Sequence, residues 1–406
     1  MTAIFKGKQI VLPFRKLFSK EYLIPVIILI IAGTLYYFGA FGPHLQLSKR
    51  HFDQLPGWEQ DDQSQALQAF KLSCTKILEL PPQTAFGETK ETASVRNWQT
   101  ICHAALKLTS TDPENARRFF EAWFIPYQVK NNLNPKGLFT GYYLPAIAGS
   151  LKFDKTYNIP IYALPKDLIK VDLGLFKPEL TGKKIIGRLK NQTLIPYPSR
   201  AEINNGAISQ NAAVLLWTND LVKFFVAQIQ GSALVQLPNH EQKLIGYAGE
   251  NGQPYTAIGR ILIEKKAIPK DQMSMEAIQT WLNKNPEQIN DILNQDASYV
   301  FFKFLTGSSP LGSQKIPLTP QRSLAVDTDY IPLGAPIWLS TKIPQNKANA
   351  QTIPFQHLLI AQDTGGAIKG IIRGDIYFGP GLDAEYQAGH MRQNGEYWIL
   401  LPKLKS

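Results

Sequence analysis

The hydrophobic pattern changes character several times along the chain. Tyr22–Phe41, "YLIPVIILIIAGTLYYFGAF", is a run of twenty residues without a charge, the length that crosses a bilayer core as a helix. Residues 46–60 show no period and read as loop or linker. Between 61 and 127 apolar positions recur at helical spacing, as in Leu67, Phe70, Cys74 and Ile77, then Val95, Trp98, Cys102 and Ala105. Thr111-Asp112-Pro113 opens another helix with a capping side chain followed by proline. From "GLFTGYYLP" to residue 262, short β-branched and aromatic runs split by Gly, Pro and Asn predict strands: "YNIPIYALP", "LIPYPS", "FFVAQIQGSALVQL". Residues 271–295 return to helix, with a second piece starting at Asn285-Pro286. From 298 strands dominate again, through "SYVFFKFL", "SLAVD", "IPLGAPIWLS", "HLLIAQD", "GIIRGDIYFG" and "EYWILL". The class is mainly β with a helical N-terminal part (α+β), and the C-terminal half reads as small β-barrel material, in one barrel or two. Trp217, Trp281 and Trp338 are expected in the core.

Charge sharpens the reading of the first segment. The chain of 406 residues has net charge +11, but residues 1–50 hold seven Lys or Arg and one acid, so 7 − 1 = +6 sits at one end and +5 is spread over the remaining 356 residues. That asymmetry argues against nucleic acid as the partner. Five basic residues precede Tyr22, and Lys49 and Arg50 follow, so the N-terminus is expected in the cytoplasm and the chain beyond about residue 45 outside it. A cleaved signal peptide is the alternative, although Pro43 follows its best cleavage site, Ala40-Phe41-Gly42. Export suits the two cysteines. Cys74 and Cys102 each lie on the buried stripe of a helix, and in an oxidising compartment a disulfide between them is the expected outcome.

Candidate chemistry centres on acids. Asp363-Thr364-Gly365 in "AQDTGGAIKG" has the look of an aspartic-protease turn, and Asp375 follows in "IIRGDIYFGPG". Such a protease needs two Asp-Thr/Ser-Gly turns, whereas the other candidate, Asp327-Thr328, continues with Asp329. The six histidines form no short-spaced pair and no cysteine cluster accompanies them, so neither a metal nor another cofactor is expected. "IQGSALV" lacks a nucleophile elbow. Gly365-Gly366 and Gly379-x-Gly381 lack the strand–turn–helix setting of a phosphate loop. What remains is a set of three aspartates, Asp327, Asp363 and Asp375.

"SLAVDTDYIPLGAPIWL", "LLIAQDTGGAIKG" and "RGDIYFGPGLDAEYQAGHM" resemble the 3D domain, named for three aspartates. Upstream, "LFTGYYLP", "FFVAQIQGSALVQL", "YAGENGQPYTAIGRILI" and "SYVFFKF" resemble the membrane-bound lytic murein transglycosylase A family, in that family's order over roughly residues 110–402. The resemblance implies a double-psi β-barrel carrying the aspartates, a second inserted β-domain, and a groove between them that binds peptidoglycan glycan strands. It divides the chain into a basic tail and anchor (1–45), a helical part of the catalytic domain (46–145), the inserted β-domain (146–264) and the barrel (265–406). It implies cleavage of the β-1,4 bond between N-acetylmuramic acid and N-acetylglucosamine, leaving a 1,6-anhydromuramyl end. Carried over by motif, Asp375 is the acid/base and Asp363 its neighbour. The family's usual anchor is a lipidated cysteine leading to the outer membrane. Cys74 comes too late to be one, so the inner membrane is expected, with the outer membrane as the alternative. No protein partner follows from the sequence.

The residues fit such chemistry. A free Asp has a pKa near 3.9, so roughly one in a thousand is protonated at pH 7. A catalytic acid needs that value raised, by the apolar strand around Asp375 or by the like charge of Asp363. Lys369, between the two acids, could instead lower a pKa or meet substrate. Asp327 is expected to brace the barrel. Tyr142 and Tyr143 could stack on sugars, but neighbours on a strand face opposite ways, so at most one does. Read as a strand, "AQIQGS" puts Gln228, Gln230 and Ser232 on one face, where they could hydrogen-bond a glycan. An inverting glycoside hydrolase using Asp363 and Asp375, or a non-catalytic glycan-binding module, would keep the same barrel.

Overall fold

The computed structural model describes residues 42–403 apart from 88, 90, 91, 111, 347 and 348. The apolar run Tyr22–Phe41 lies outside the described residues, among which no helix is long and apolar enough to cross a membrane. The chain divides into units 1–45 and 46–406, and the architecture below is that of the second.

In chain order the strands are β1 (Leu45–Lys49), β2 (Phe124–Asn131), β3 (Gly137–Leu144), β4 (Ala146–Ser150), β5 (Ile159–Tyr162), β6 (Ile169–Asp172), β7 (Lys184–Lys190), β8 (Thr193–Pro196), β9 (Val214–Thr218), β10 (Ser232–Gln236), β11 (Gln242–Glu250), β12 (Val300–Leu305), β13 (Ser323–Val326), β14 (Pro336–Asn346), β15 (Asn349–Asp363), β16 (Arg373–Pro380) and β17 (Arg392–Pro402). Six of them run β17-β14-β15-β13-β16-β3, and a further pairing of β17 with β3 closes the ring into a barrel. Closure removes the free edges that an open sheet would expose. The short strand β13 is buried at every position, which is why "SLAV" is apolar or small throughout.

The chain leaves the barrel at β3 and, across Pro145, enters a second sheet of order β12-β11-β10-β4-β9-β5. A small antiparallel sheet, β6-β7-β8, stands beside it. Strand β12 joins the second sheet late, just before the chain returns to the barrel. Leu144, Leu318 and Tyr377 pack with Leu244 in one buried cluster, flanked by Tyr142, Leu234 and Leu305. This cluster binds the barrel to the second sheet directly beside β16.

Helices brace the barrel from outside. Ser64–Ile77 and Val95–Lys107 pair through the disulfide Cys74–Cys102, with Cα atoms 5.1 Å apart and both cysteines fully buried. Pro113–Trp123 starts as the sequence indicates, the Asp112 carboxylate accepting from the Asn115 N–H at 3.0 Å.

Four segments differ from the sequence reading. Residues 46–60 are not a plain linker: they finish β1 and add two 3-10 turns, the second burying Trp58 against Trp338. "LVKFFVAQIQ" is a helix, Leu221–Gln230, not a strand. Asp220 caps its first turn and Gly231 ends it at φ +75°, while apolar groups on nearly every side hide its period. Helices Ile258–Glu264 and Leu382–His390 interrupt regions read as strand; at seven and nine residues they are too short to show a helical period clearly. Of the three tryptophans assigned to the core, Trp338 is buried, whereas Trp217 and Trp281 are half-buried.

Candidate active site

Asp375 sits near the start of β16, between two neighbours that fix its surroundings. It pairs with Ala325 on β13 and with Thr140 on β3. Ala325 also pairs, on its other side, with Asp363 on β15. Directly opposed partners share a face of the sheet. Asp363, Ala325, Asp375 and Thr140 therefore form one row across four strands, with an alanine methyl between the two acids. Two strand spacings put the acidic Cα atoms about 10 Å apart.

A bulge creates this row. The β13–β15 register runs Ser323↔Ile360 and Leu324↔Ala361, then skips Gln362 to reach Ala325↔Asp363. Without the extra residue, Asp363 would point to the opposite face. Gln362 is fully buried, and helix Ser64–Ile77 holds it. Its amide donates to the Ala69 carbonyl at 2.7 Å and to Ser73 Oγ at 3.0 Å, and its Oε1 accepts from Ser323 Oγ at 2.5 Å.

Hydrogen bonds assign the two acids different work. Thr140 Oγ1 donates to Asp375 Oδ1 at 2.5 Å while accepting from Arg373 Nη2 at 2.8 Å. Asp375 Oδ2 makes no hydrogen bond among the described residues. Asp375 keeps some solvent access on one side, yet protein surrounds the carboxyl elsewhere, and this burial pushes its pKa up to about 6. The Thr140 hydrogen bond and the Arg373 charge pull the other way, and the Asp363 charge adds to the rise. Asp363, by contrast, is saturated. Its Oδ1 accepts from Ser313 N at 2.8 Å, Ser313 Oγ at 2.8 Å and Thr364 N at 2.9 Å, and its Oδ2 accepts from the Tyr142 hydroxyl at 2.9 Å. Burial raises its pKa against these donors. Burial and Asp363 raise that of Tyr142, so the phenol remains a donor.

The remaining candidates separate. Asp327 is buried and accepts from the Gly370 N–H at 2.7 Å and Lys369 Nζ at 3.1 Å, bracing the loop between β15 and β16. Lys369 thus gives its charge to Asp327: desolvation, the largest single effect, lowers its pKa, but the Asp327 hydrogen bond and the charges of Asp327 and Asp329 together outweigh it and raise the pKa, and it is Arg373 that acts on Asp375. Tyr143 points away from Tyr142, is buried, and donates to Glu385 at 3.0 Å. It lines a cavity of ≈ 350 Å³ with Lys223, Gln279 and Leu382, on the far side of β3 from Asp375. Gln228, Gln230 and Ser232 do not form a polar strand face, because the first two are helical. Gln228 is buried, accepting from Arg200 and donating to the Val300 carbonyl at 3.0 Å. Gln230 accepts from the Tyr143 N–H at 2.9 Å, and Ser232 is buried at the start of β10. Thr140, Arg373, Ser313 and Gln362 were not singled out in the sequence. Thr140 precedes "GYYLP" on β3 and is brought to Asp375 only by strand pairing, whereas Arg373 lies two residues before Asp375 on β16, on the same face by alternation.

Barrel and second sheet together define a 3D domain with an insertion. The 3D domain model matches residues 322–401 and the MltA specific insert domain matches residues 138–303. The chain is 32% identical over 293 residues to membrane-bound lytic murein transglycosylase A of Escherichia coli K12, covering 71% of this chain and 72% of that protein. The Vibrio cholerae protein of the same name is 32% identical over 265 residues, 65% of each, so the chain spans just under two thirds of that relative's length. Among solved structures, MltA from Neisseria gonorrhoeae superposes with a TM-score of 0.75 at 31% identity, covering 89% of this chain and 94% of that one. E. coli MltA with bound chitohexaose gives 0.64 at 25% identity, over 90% and 96%. The chain belongs to the membrane-bound lytic murein transglycosylase A family.

Proposed function

We propose that this chain is a peptidoglycan lytic transglycosylase, with Asp375 acting first as acid and then as base. The observation that carries the assignment is the environment of Asp375: a carboxyl whose pKa is raised to about 6, with one oxygen held by Thr140 and the other without a hydrogen bond among the described residues. A glycosidic oxygen needs a proton to leave, and near neutral pH such an acid still supplies one. The proton passes from Asp375 to O4 of the departing N-acetylglucosamine as the C1–O4 bond breaks. The muramyl C6 hydroxyl then attacks C1, and Asp375, now a carboxylate, takes the O6 proton. A well-oriented intramolecular hydroxyl can reach effective molarities of about 10⁵–10⁸ M, far above water.

Asp363 favours this reading over hydrolysis. An inverting hydrolase needs its second carboxylate to hold and activate water. Asp363 already accepts four hydrogen bonds from Ser313, Thr364 and Tyr142, which leaves it little acceptor capacity to hold and orient a water. The glycan groove is proposed along the junction of the barrel with an inserted domain of residues 146–264, which β12 extends, and Tyr142 is its proposed aromatic contact. The bound chitohexaose of the E. coli structure supports a β-1,4-linked N-acetylated sugar as ligand. We place the catalytic unit in the periplasm, anchored in the inner membrane by Tyr22–Phe41.

Mass spectrometry of a peptidoglycan digest tests the proposal. Transglycosylation yields muropeptides lighter by one water than hydrolysis products, with no new reducing ends. Reducing-end muropeptides as the main product would overturn the O6 step and leave the acid in place.

A further inference from the structure

The small sheet β6-β7-β8 turns the usual arrangement outside in. On β7, Ile186 faces the protein and packs against the core of the second sheet. Ile185 and Leu189, on the opposite face, are 45% and 61% exposed. Their cross-strand partners are Val171 and Leu194, so the outward face is apolar across all three strands. At one end, the turn joining β6 to β7 projects Leu175 and Phe176, 85% and 73% exposed.

Basic side chains flank the sheet, in the β6–β7 turn and at the two ends of β7. Residues 166–190 carry seven Lys or Arg and three acids, 7 − 3 = +4, and Lys177, Lys183, Lys184 and Lys190 are exposed. A contiguous exposed apolar face on a soluble domain marks a contact surface. A sugar polymer would need hydrogen-bonding side chains on it, and the outward positions offer none. A projecting Leu-Phe tip with exposed lysines in the same turn matches a lipid interface, where apolar side chains enter the acyl boundary while long cationic stems reach anionic headgroups.

We infer that the outward face of β6-β7-β8 and its Leu175–Phe176 tip form a docking surface for an anionic lipid bilayer. The inference rests on the proposed anchor for one point only: a chain already tethered to a membrane needs a weak second contact, not a strong one. Each basic side chain near an anionic surface is worth about fivefold in partitioning. The contact would hold the inserted domain at the membrane surface.

The test uses the full chain with its native disulfide, carrying F176C labelled with a nitroxide and reconstituted into vesicles. In phosphatidylglycerol-rich vesicles the label should be reached by oxygen in preference to a water-soluble nickel chelate. Adding K177E, K183E and K184E should lower the buried-to-exposed ratio by at least about tenfold, as should pure phosphatidylcholine. A label equally open to the chelate in both lipids would overturn the proposal. So would a label shielded from both reagents, which indicates a protein contact, or spin–spin broadening that grows with protein density, which indicates a second copy. Carbonate extraction of the same vesicles reports on the anchor separately: extractable protein with a buried label would remove the Tyr22–Phe41 anchor and keep the surface.

Discussion

Asp363 and Asp375 share a single cross-strand partner, Ala325, which pairs with one on β15 and with the other on β16. A methyl group is thus all that the central strand places between two carboxyls. The gap lets the charge of Asp363 act on Asp375. Ala325→Leu would fill it. Overpacking of this kind costs about 1–3 kcal/mol in a buried strand. Displacing a catalytic group by about 1 Å can cost 10²-fold in rate. We expect a folded variant with a modestly lower melting temperature and about a hundredfold lower turnover of peptidoglycan. Full activity alongside the stability loss would mean that the gap has no part in catalysis.

The bulge at Gln362 gives a second expectation. Gln362→Leu removes three hydrogen bonds and leaves Ser323 Oγ without its buried acceptor. Each such orphaned group costs about 1–3 kcal/mol. If the bulge relaxes, Asp363 turns away and its charge no longer raises the Asp375 pKa. The alkaline limb of the pH–rate profile should then move to lower pH. A purely structural role for Gln362 would reduce stability and leave the limb where it was.

Much of this site was legible in the sequence, and what was not has identifiable causes. The acids announced themselves because "QDTGG" and "RGDIY" stand out against apolar strands. The helical pairing of Cys74 and Cys102 followed from a 3.6-residue period. The helix Leu221–Gln230 was obscured because it is buried nearly all round, so its period vanished, although Asp220 and Gly231 bracket it with capping chemistry. Thr140 and Arg373 were invisible as a pair because β3 and β16 are more than two hundred residues apart in sequence yet parallel neighbours in the barrel, Thr140 to Asp375 spanning 235 positions. The bulge was equally hidden, since alternation read along β15 alone places Asp363 on the wrong face.

Asp375→Asn should separate stability from function. The folded pKa of about 6 lies above the unfolded value near 3.9. The protonated acid therefore supports the fold below about pH 4, and that support is lost as pH rises through about 6. Two units correspond to roughly 3 kcal/mol at most. Asn has no proton to lose and keeps an oxygen for Thr140. The variant should lose at least 10²–10⁴-fold in activity, yet resist urea better than the wild type at pH 8, with the difference closing at pH 4. A variant less stable than wild type at both pH values would show that burial does not weigh on the ionised form.

The pH dependence of catalysis carries the assignment furthest, because it reads the proton on Asp375 directly. With one group acting as the acid, kcat/KM should be level below about pH 6 and fall tenfold per unit above it. Thr140 stabilises the carboxylate by donating to Oδ1, so its loss should raise the pKa. Thr140→Val keeps the shape and the strand preference while removing that donor. A hydrogen bond to a charged group contributes about 1.5–3 kcal/mol, which corresponds to an upward shift of roughly one to two units. The limb should therefore move to higher pH in the variant, opposite to the movement expected for Gln362→Leu. Two substitutions on either side of one carboxyl would then displace the same limb in opposite directions. A limb that ignores Thr140→Val, in a variant that still binds glycan, would assign the titrating acid to a residue other than Asp375.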